Sequence, residues 1–172
     1  MRYIALLRAI NVGGHTVKMD RLRSLFEAAG AKDVETFIAS GNVIFTSKSG
    51  EAALEKKLAA HLAKELGYEV GVFLRTPSEL SNAAAHEDVN GSLYVGFLHA
   101  PATAAAKKNL KALETDSDTF EFKGRDFYWL ITTSMGQSKL TGARVEKALG
   151  VSTTMRNITT VRKLAEKYRE DY

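Results

Sequence analysis

Apolar residues recur along this chain in two rhythms, every second position and every third or fourth, and these rhythms follow each other in the same order twice. Residues 3–8 are apolar on both alternating faces, as in a central strand buried on two sides. Met19, Leu22, Phe26 and Ala29 then share one helical stripe, with Gly30 placed as a C-cap. Residues 34–39 and 42–46 read as strands joined at Ser40-Gly41. Leu54, Leu58, Leu62 and Leu66 mark a second helix stopped by Gly67, and residues 68–75 turn Val70, Val72 and Leu74 inward.

The second pass repeats this order. Residues 93–98 open it, and Ala106, Leu110 and Leu113 stripe a helix over 102–113. Strands over 119–123 and 126–132 flank Gly124-Arg125. A helix over 138–149 stops at Gly150, residues 151–155 form a last strand, and Asn157 caps a helix carrying Val161, Leu164, Ala165 and Tyr168. Between the passes, Thr76-Pro-Ser-Glu79 has the form of a capping box for a helix over 77–87. The turn at 88–91 is the expected boundary.

Strand, helix, strand, strand, helix, strand is the split βαβ unit. The pattern therefore predicts an α+β protein of two ferredoxin-like plaits, each with an added helix. The expected subdomains are residues 1–88 and 89–172. A four-stranded antiparallel sheet with two helices on one face is expected in each.

Composition narrows the chemistry. Among 172 residues there is no cysteine, which excludes disulfides, a thiol nucleophile and cysteine-ligated zinc. The apolar run at the N-terminus is broken at Arg8, short of a signal-peptide core, and no stretch has the length of a membrane span. A cytoplasmic protein without membrane partners is expected. The formal charge is +4, and residues 134–172 hold eight basic against four acidic residues, an excess equal to that of the whole chain. Such an end favours anionic partners, nucleic acid among them, although solvated helix faces also carry Lys and Arg.

Several segments have the residue types for binding. Arg8 ends a buried strand, and Asn11, Gly13 and Gly14 lead towards a helix with His15 and Lys18 nearby; glycine amides and a helix N-terminus suit an anion. The same glycines also serve a plain strand-to-helix connection. Thr153 to Asn157 gathers hydroxyls, the Arg156 guanidinium and a capping amide before the last helix. Ser40-Gly41-Asn42 reads as a hairpin turn. Phe120, Phe122 and Phe127-Tyr-Trp129 suit core packing better than base stacking, since the aromatic motif of RNA-recognition modules is absent. The histidines, His15, His61, His86 and His99, have no metal-ligand spacing, and His61 is expected on an exposed helix face. No metal site, cofactor motif or catalytic constellation emerges.

Ile4-Ala-Leu-Leu-Arg-Ala-Ile-Asn-Val-Gly-Gly14, Lys18-Met19, Ser40-Gly-Asn-Val43 and Thr154-Met-Arg-Asn-Ile-Thr-Thr-Val161 together resemble the bacterial family called domain of unknown function 1697. Ala9 stands where that family usually has glycine, and Ile158 often where it has an aromatic residue. The resemblance implies two plait-like subdomains and carries no activity with it. If the motif segments approach one another, Arg8, Asn11, Gly13, Gly14, Ser40, Asn42, Arg156 and Asn157 line one polar cleft between the subdomains. The expected ligand is a phosphate-bearing small molecule or nucleotide. Nucleic-acid binding through the basic C-terminal third and an enzyme of unknown reaction are the alternatives, with a monomer or a homodimer as the assembly.

Overall fold

A computed structural model describes residues 1–11, 14–38, 41–133 and 138–169. The chain runs β1 (Arg2–Arg8), α1 (Met19–Ala28), β2 (Lys32–Thr36), β3 (Asn42–Thr46), α2 (Glu51–Leu66), β4 (Gly71–Arg75) and α3 (Pro77–Ala84). It continues through β5 (Ser92–Phe97), α4 (Ala104–Lys111), β6 (Asp118–Lys123), β7 (Asp126–Ile131), α5 (Gly142–Leu149), β8 (Thr154–Asn157) and α6 (Ile158–Lys167). Among the described residues this is a mixed α+β fold of two four-stranded antiparallel sheets, ordered β2-β3-β1-β4 and β6-β7-β5-β8, and six helices. Two compact units, Met1–Glu79 and Leu80–Tyr168, hold one sheet each, and the division falls within α3, ahead of the turn at 88–91.

In the first unit Tyr3, Ala5 and Leu7 of β1 pack with Leu22 and Phe26 of α1 and Leu54, Leu58 and Leu62 of α2. The intervening Ile4 and Leu6 are buried as well, as the unbroken apolar run requires. In the second unit Phe127, Trp129 and Ile131 of β7 pack with Ala106 and Leu110 of α4 and Val145 and Leu149 of α5. Tyr128, between two of them in sequence, must face the other side of the sheet. The last helix, α6, lies along β5 and β8.

The two registers correspond residue by residue. Ile4 stands opposite Ile44 and Arg75, and Val95 stands opposite Tyr128 and Arg156. Arg75 and Arg156 thus occupy equivalent places, each buried and each two residues before the first residue of a helix. Asn42, opposite Leu6, corresponds in the same way to Asp126, opposite Phe97.

Several predicted boundaries shift, each for a local reason. The capping box forms as expected: the Glu79 N–H donates to Thr76 Oγ1 at 3.2 Å and the Thr76 N–H to Glu79 Oε1 at 3.0 Å. Yet α3 stops at Ala84 instead of 87. The strand expected over 34–39 occupies Lys32–Thr36, with a register irregularity between Lys32 and Glu35 and Asp33 at φ +49°. The one expected over 68–75 begins at Gly71, because Tyr68 turns away and donates its hydroxyl to the Ile10 carbonyl at 2.7 Å. The helix expected over 138–149 begins at Gly142, capped by Thr141, whose hydroxyl accepts from the Arg144 N–H at 3.2 Å. The last strand is Thr154–Asn157 instead of 151–155, leaving Val151 exposed, because Gly150 and the turn after it separate α5 from the register with β5. His61 is not on an exposed face: it is half-buried on α2, and its Nε2 lies buried without a hydrogen-bond partner among the described residues.

Ser138 is released from that helix for another task. Asp118, almost wholly buried, receives Trp129 Nε1–H and the Ser138 hydroxyl on Oδ1, both at 2.9 Å. On Oδ2 it receives the hydroxyls of Ser117 at 3.1 Å and Thr115 at 3.2 Å. Burial alone would raise its pKa, but the donors outweigh burial and hold it below the usual carboxylate value. A depressed folded-state pKa stabilises the fold above the unfolded pKa of about 4 and ceases to do so as pH falls through the folded value. Asp118→Asn is expected to cost about 1–3 kcal/mol at pH 7. It should also flatten the loss of stability below pH about 4. Urea unfolding at neutral and acid pH measures both, and an equal cost at the two pH values contradicts the assignment.

Ala9, just past β1, has φ +65°, a left-handed conformation that an L residue adopts at a cost of roughly 1–2 kcal/mol. Glycine relieves this cost, so Ala9→Gly is expected to raise stability by about 1 kcal/mol, net of the extra freedom of the unfolded chain. The urea midpoint should rise with the slope unchanged, and a lower midpoint would contradict the strain.

Candidate functional site

The expected first-unit residues are drawn into holding the backbone. Arg8 ends β1 opposite Gly71, half-buried. Asn11 Oδ1 accepts from the Val17 N–H at 2.9 Å, closing the loop that leads to α1. Asn42 is buried and donates its amide to the Phe37 carbonyl at 3.1 Å, while its own carbonyl accepts from the Phe37 N–H at 3.1 Å. Gly41 beside it has φ +83°, and a Cβ there would sit 2.9 Å from Ile10 Cγ2, so only glycine fits this turn. Gly14 is also left-handed, at φ +83°; Gly13 and Ser40 lie outside the described residues. His15 stacks on Tyr68 with ring centroids 4.0 Å apart.

Asn11 and Asn42 line one depression with Ile10, Val17, Leu22 and Gly41, about 20 Å³ in volume, room for about one water molecule.

Before the last helix the polar groups also serve local structure. Asn157 caps α6, accepting from the Thr159 N–H at 2.9 Å. Thr153 donates its hydroxyl to the Phe97 carbonyl at 2.8 Å. Arg156 is not at the surface: it is 8% exposed, and its Nη1 donates to Thr154 Oγ1 at 2.8 Å and the Met155 carbonyl at 2.9 Å. Burial brings its pKa down to about 10, still charged at neutral pH.

A roomier cavity lies elsewhere, in the second unit. About 440 Å³ in volume, it is lined by Ala85, His86, Glu87, Glu121, Lys123 and Tyr128. Alternation along β7 sends Tyr128 to this side, and its hydroxyl donates to the Ala83 carbonyl at 2.7 Å, anchoring the end of α3. Burial first, then the charges of Asp126 and Glu121, push the phenol up to about 12, so it stays a proton donor. The His86 ring rests against Tyr128 with centroids 4.5 Å apart. Arg162 of α6 donates to the His86 carbonyl at 2.8 Å and pairs with Asp88 at 3.1 Å, fixing the segment between α3 and β5.

Both nitrogens of His86 face acceptors: Nδ1 is 2.8 Å from the Glu87 carbonyl and Nε2 is 3.1 Å from Glu121 Oε2. A carbonyl only accepts, so Nδ1 carries a proton. Nε2 faces the Glu121 carboxylate, a contact that is an ion pair only when the imidazole is protonated. Lys123, also on β6, donates from Nζ to the Asn82 carbonyl at 2.7 Å and adds an ammonium group. An imidazole, an ammonium and a carboxylate thus share one wall. No local motif announces this group, because His86 and Glu121 are 35 residues apart and meet only through tertiary packing.

Among the described residues, the helical cations of the basic C-terminal third are divided between α5 and α6. Arg144 and Lys147 belong to α5, which packs with α4 on the Trp129 side of the sheet, and Lys163 and Lys167 belong to α6, which reaches His86 on the Tyr128 side through Arg162. Phe127, Tyr128 and Trp129 are buried and present no ring for stacking on a base. Among the described residues no cluster of three or more metal-ligating side chains of the His, Cys, Asp and Glu type occurs, and no helix is long and apolar enough to cross a membrane.

Comparison with known proteins places this architecture. The chain is similar to the solved structure of the conserved bacterial protein SP0830 from Streptococcus pneumoniae, with 24% identity, a TM-score of 0.78 and 98% of each chain covered. That likeness shows the fold. No curated protein matches the chain. The model of a family described as protein of unknown function matches residues 1–128, about three quarters of the sequence. With the fold and that extent of agreement, the chain belongs to the DUF1697 family.

Proposed function

We propose that this protein is a binding module for a small anionic molecule, one bearing a phosphate or a carboxylate, and that the ligand sits in the second unit against Lys123 and His86. The observation that supports this most is the 440 Å³ cavity with an ammonium and an imidazole in its wall. Its volume falls in the range of small-molecule sites. The motif residues from Arg8 to Asn157 support the role less directly, since those described hold loops, a turn and a helix cap. We also read each unit as a ferredoxin-like plait and the pair as an internal duplication. The strand orders and the matching places of Arg75 and Arg156 favour this reading.

Binding to the native state alone raises stability, by about 2.7 kcal/mol at a hundredfold excess over Kd. Thermal unfolding with millimolar inorganic phosphate, a nucleoside monophosphate or a dicarboxylate is expected to raise Tm for at least one of them. Lys123→Ala should abolish that rise while leaving the ligand-free Tm nearly unchanged, as expected for an exposed side chain. A Tm unmoved by every anion sinks the reading.

A further inference from the structure

A second cavity, of about 230 Å³, adjoins the first, and Leu93, Lys111, Thr119 and Leu130 are among the residues around it. The two share three wall residues, His86, Glu121 and Tyr128. Tyr128 forms part of the floor, buried in the sheet and tied to α3. The contact between His86 Nε2 and Glu121 Oε2, 3.1 Å long, joins two of the three residues that the spaces share.

We propose that the His86–Glu121 pair is a latch across a single groove. In it the Glu121 carboxylate stands where the anionic oxygen of the ligand binds. This rests on the anion-binding reading above and adds to it which group the ligand displaces and where its body goes.

The two sides of the latch are held unequally. His86 is fixed from several directions, by the Glu87 carbonyl on Nδ1, by Arg162 on its backbone carbonyl and by the Tyr128 ring beneath it. Glu121 projects from the edge strand β6 with its side chain 67% exposed. A rim carboxylate of this kind is weakly held, because water screens the pair and the freed side chain regains rotamer freedom. An incoming phosphate or carboxylate offers His86 the same acceptor, and it gains Lys123 as well. Once Glu121 swings out, the body of the ligand has room to extend towards Leu93 and Leu130. The favoured ligand is an anion with a short apolar body, such as an aryl or alkyl phosphate or carboxylate.

Titration of the full chain with inorganic phosphate and with phenyl phosphate, followed by two-dimensional NMR, tests this. Glu121→Ala removes the internal competitor and should bind inorganic phosphate about fivefold tighter than the native chain, the most that an exposed pair usually withholds. Lys123→Ala should bind at least tenfold more weakly. In Glu121→Ala, phenyl phosphate should perturb the methyl signals of Leu93 and Leu130, which inorganic phosphate leaves in place. Glu121→Gln, which keeps the shape of the side chain, provides a second measure of the competition and should also bind tighter than native.

If the native chain binds and Lys123→Ala weakens it, but neither Glu121 variant binds tighter, the latch is overturned and the binding module stands. Leu93 and Leu130 signals unmoved by phenyl phosphate overturn the joined groove. Failure of the native chain and of both Glu121 variants to bind either anion overturns the binding reading along with the latch.

Discussion

Two-sided burial of the strands at the centre of each sheet is the constraint on which the other features depend. A strand with apolar residues on both faces cannot lie against water, so β1 and β5 must be covered on both faces. Alternation then assigns every neighbour its face. In β7 it sends Phe127 and Trp129 to α4 and α5 and leaves Tyr128 on the reverse side, where its hydroxyl meets the end of α3. A one-residue slip of that register would exchange these residues, burying the wrong side chains and dismantling the wall of the cavity.

The same register explains two carboxylates of the second unit, Asp118 and Glu121, which behave differently. Asp118 is enclosed by neutral donors that satisfy both its oxygens, so it stays ionised and serves as a structural pin between β6, β7 and the segment before α5. Glu121, three residues further along the same strand, points out at the rim and meets His86. One carboxylate is committed by burial, whereas the other is left where it can exchange partners. The difference comes from which face of β6 each occupies and from what lies opposite.

Much of the fold was legible along the chain because it is written in local terms. The capping box at Thr76, the glycine stops after α2 and α5, and the stripe of Val161, Leu164 and Ala165 need only neighbours within a few turns. Boundaries failed where a distant partner prevailed. Ser138 serves Asp118 rather than a helix, Tyr68 serves the Ile10 carbonyl rather than a strand, and β8 takes its place from β5. Arg156 illustrates the same limit: the sequence marks it as a cation near a helix start, and only the sheet decides that it is buried against Thr154 and the Met155 carbonyl.

The sequence by itself determined the two-fold order of strands and helices, the apolar faces, the caps and the family, because each follows from short-range periodicity, turn chemistry or the run of residues itself. Only the tertiary structure decided which polar residues meet. His86 and Glu121 come from segments 35 residues apart, and their contact depends on strand register, the packing of Tyr128 and the grip of Arg162. The order of elements is set by interactions within a few residues. A site is set by the sum of packing across the unit, and no local pattern encodes it.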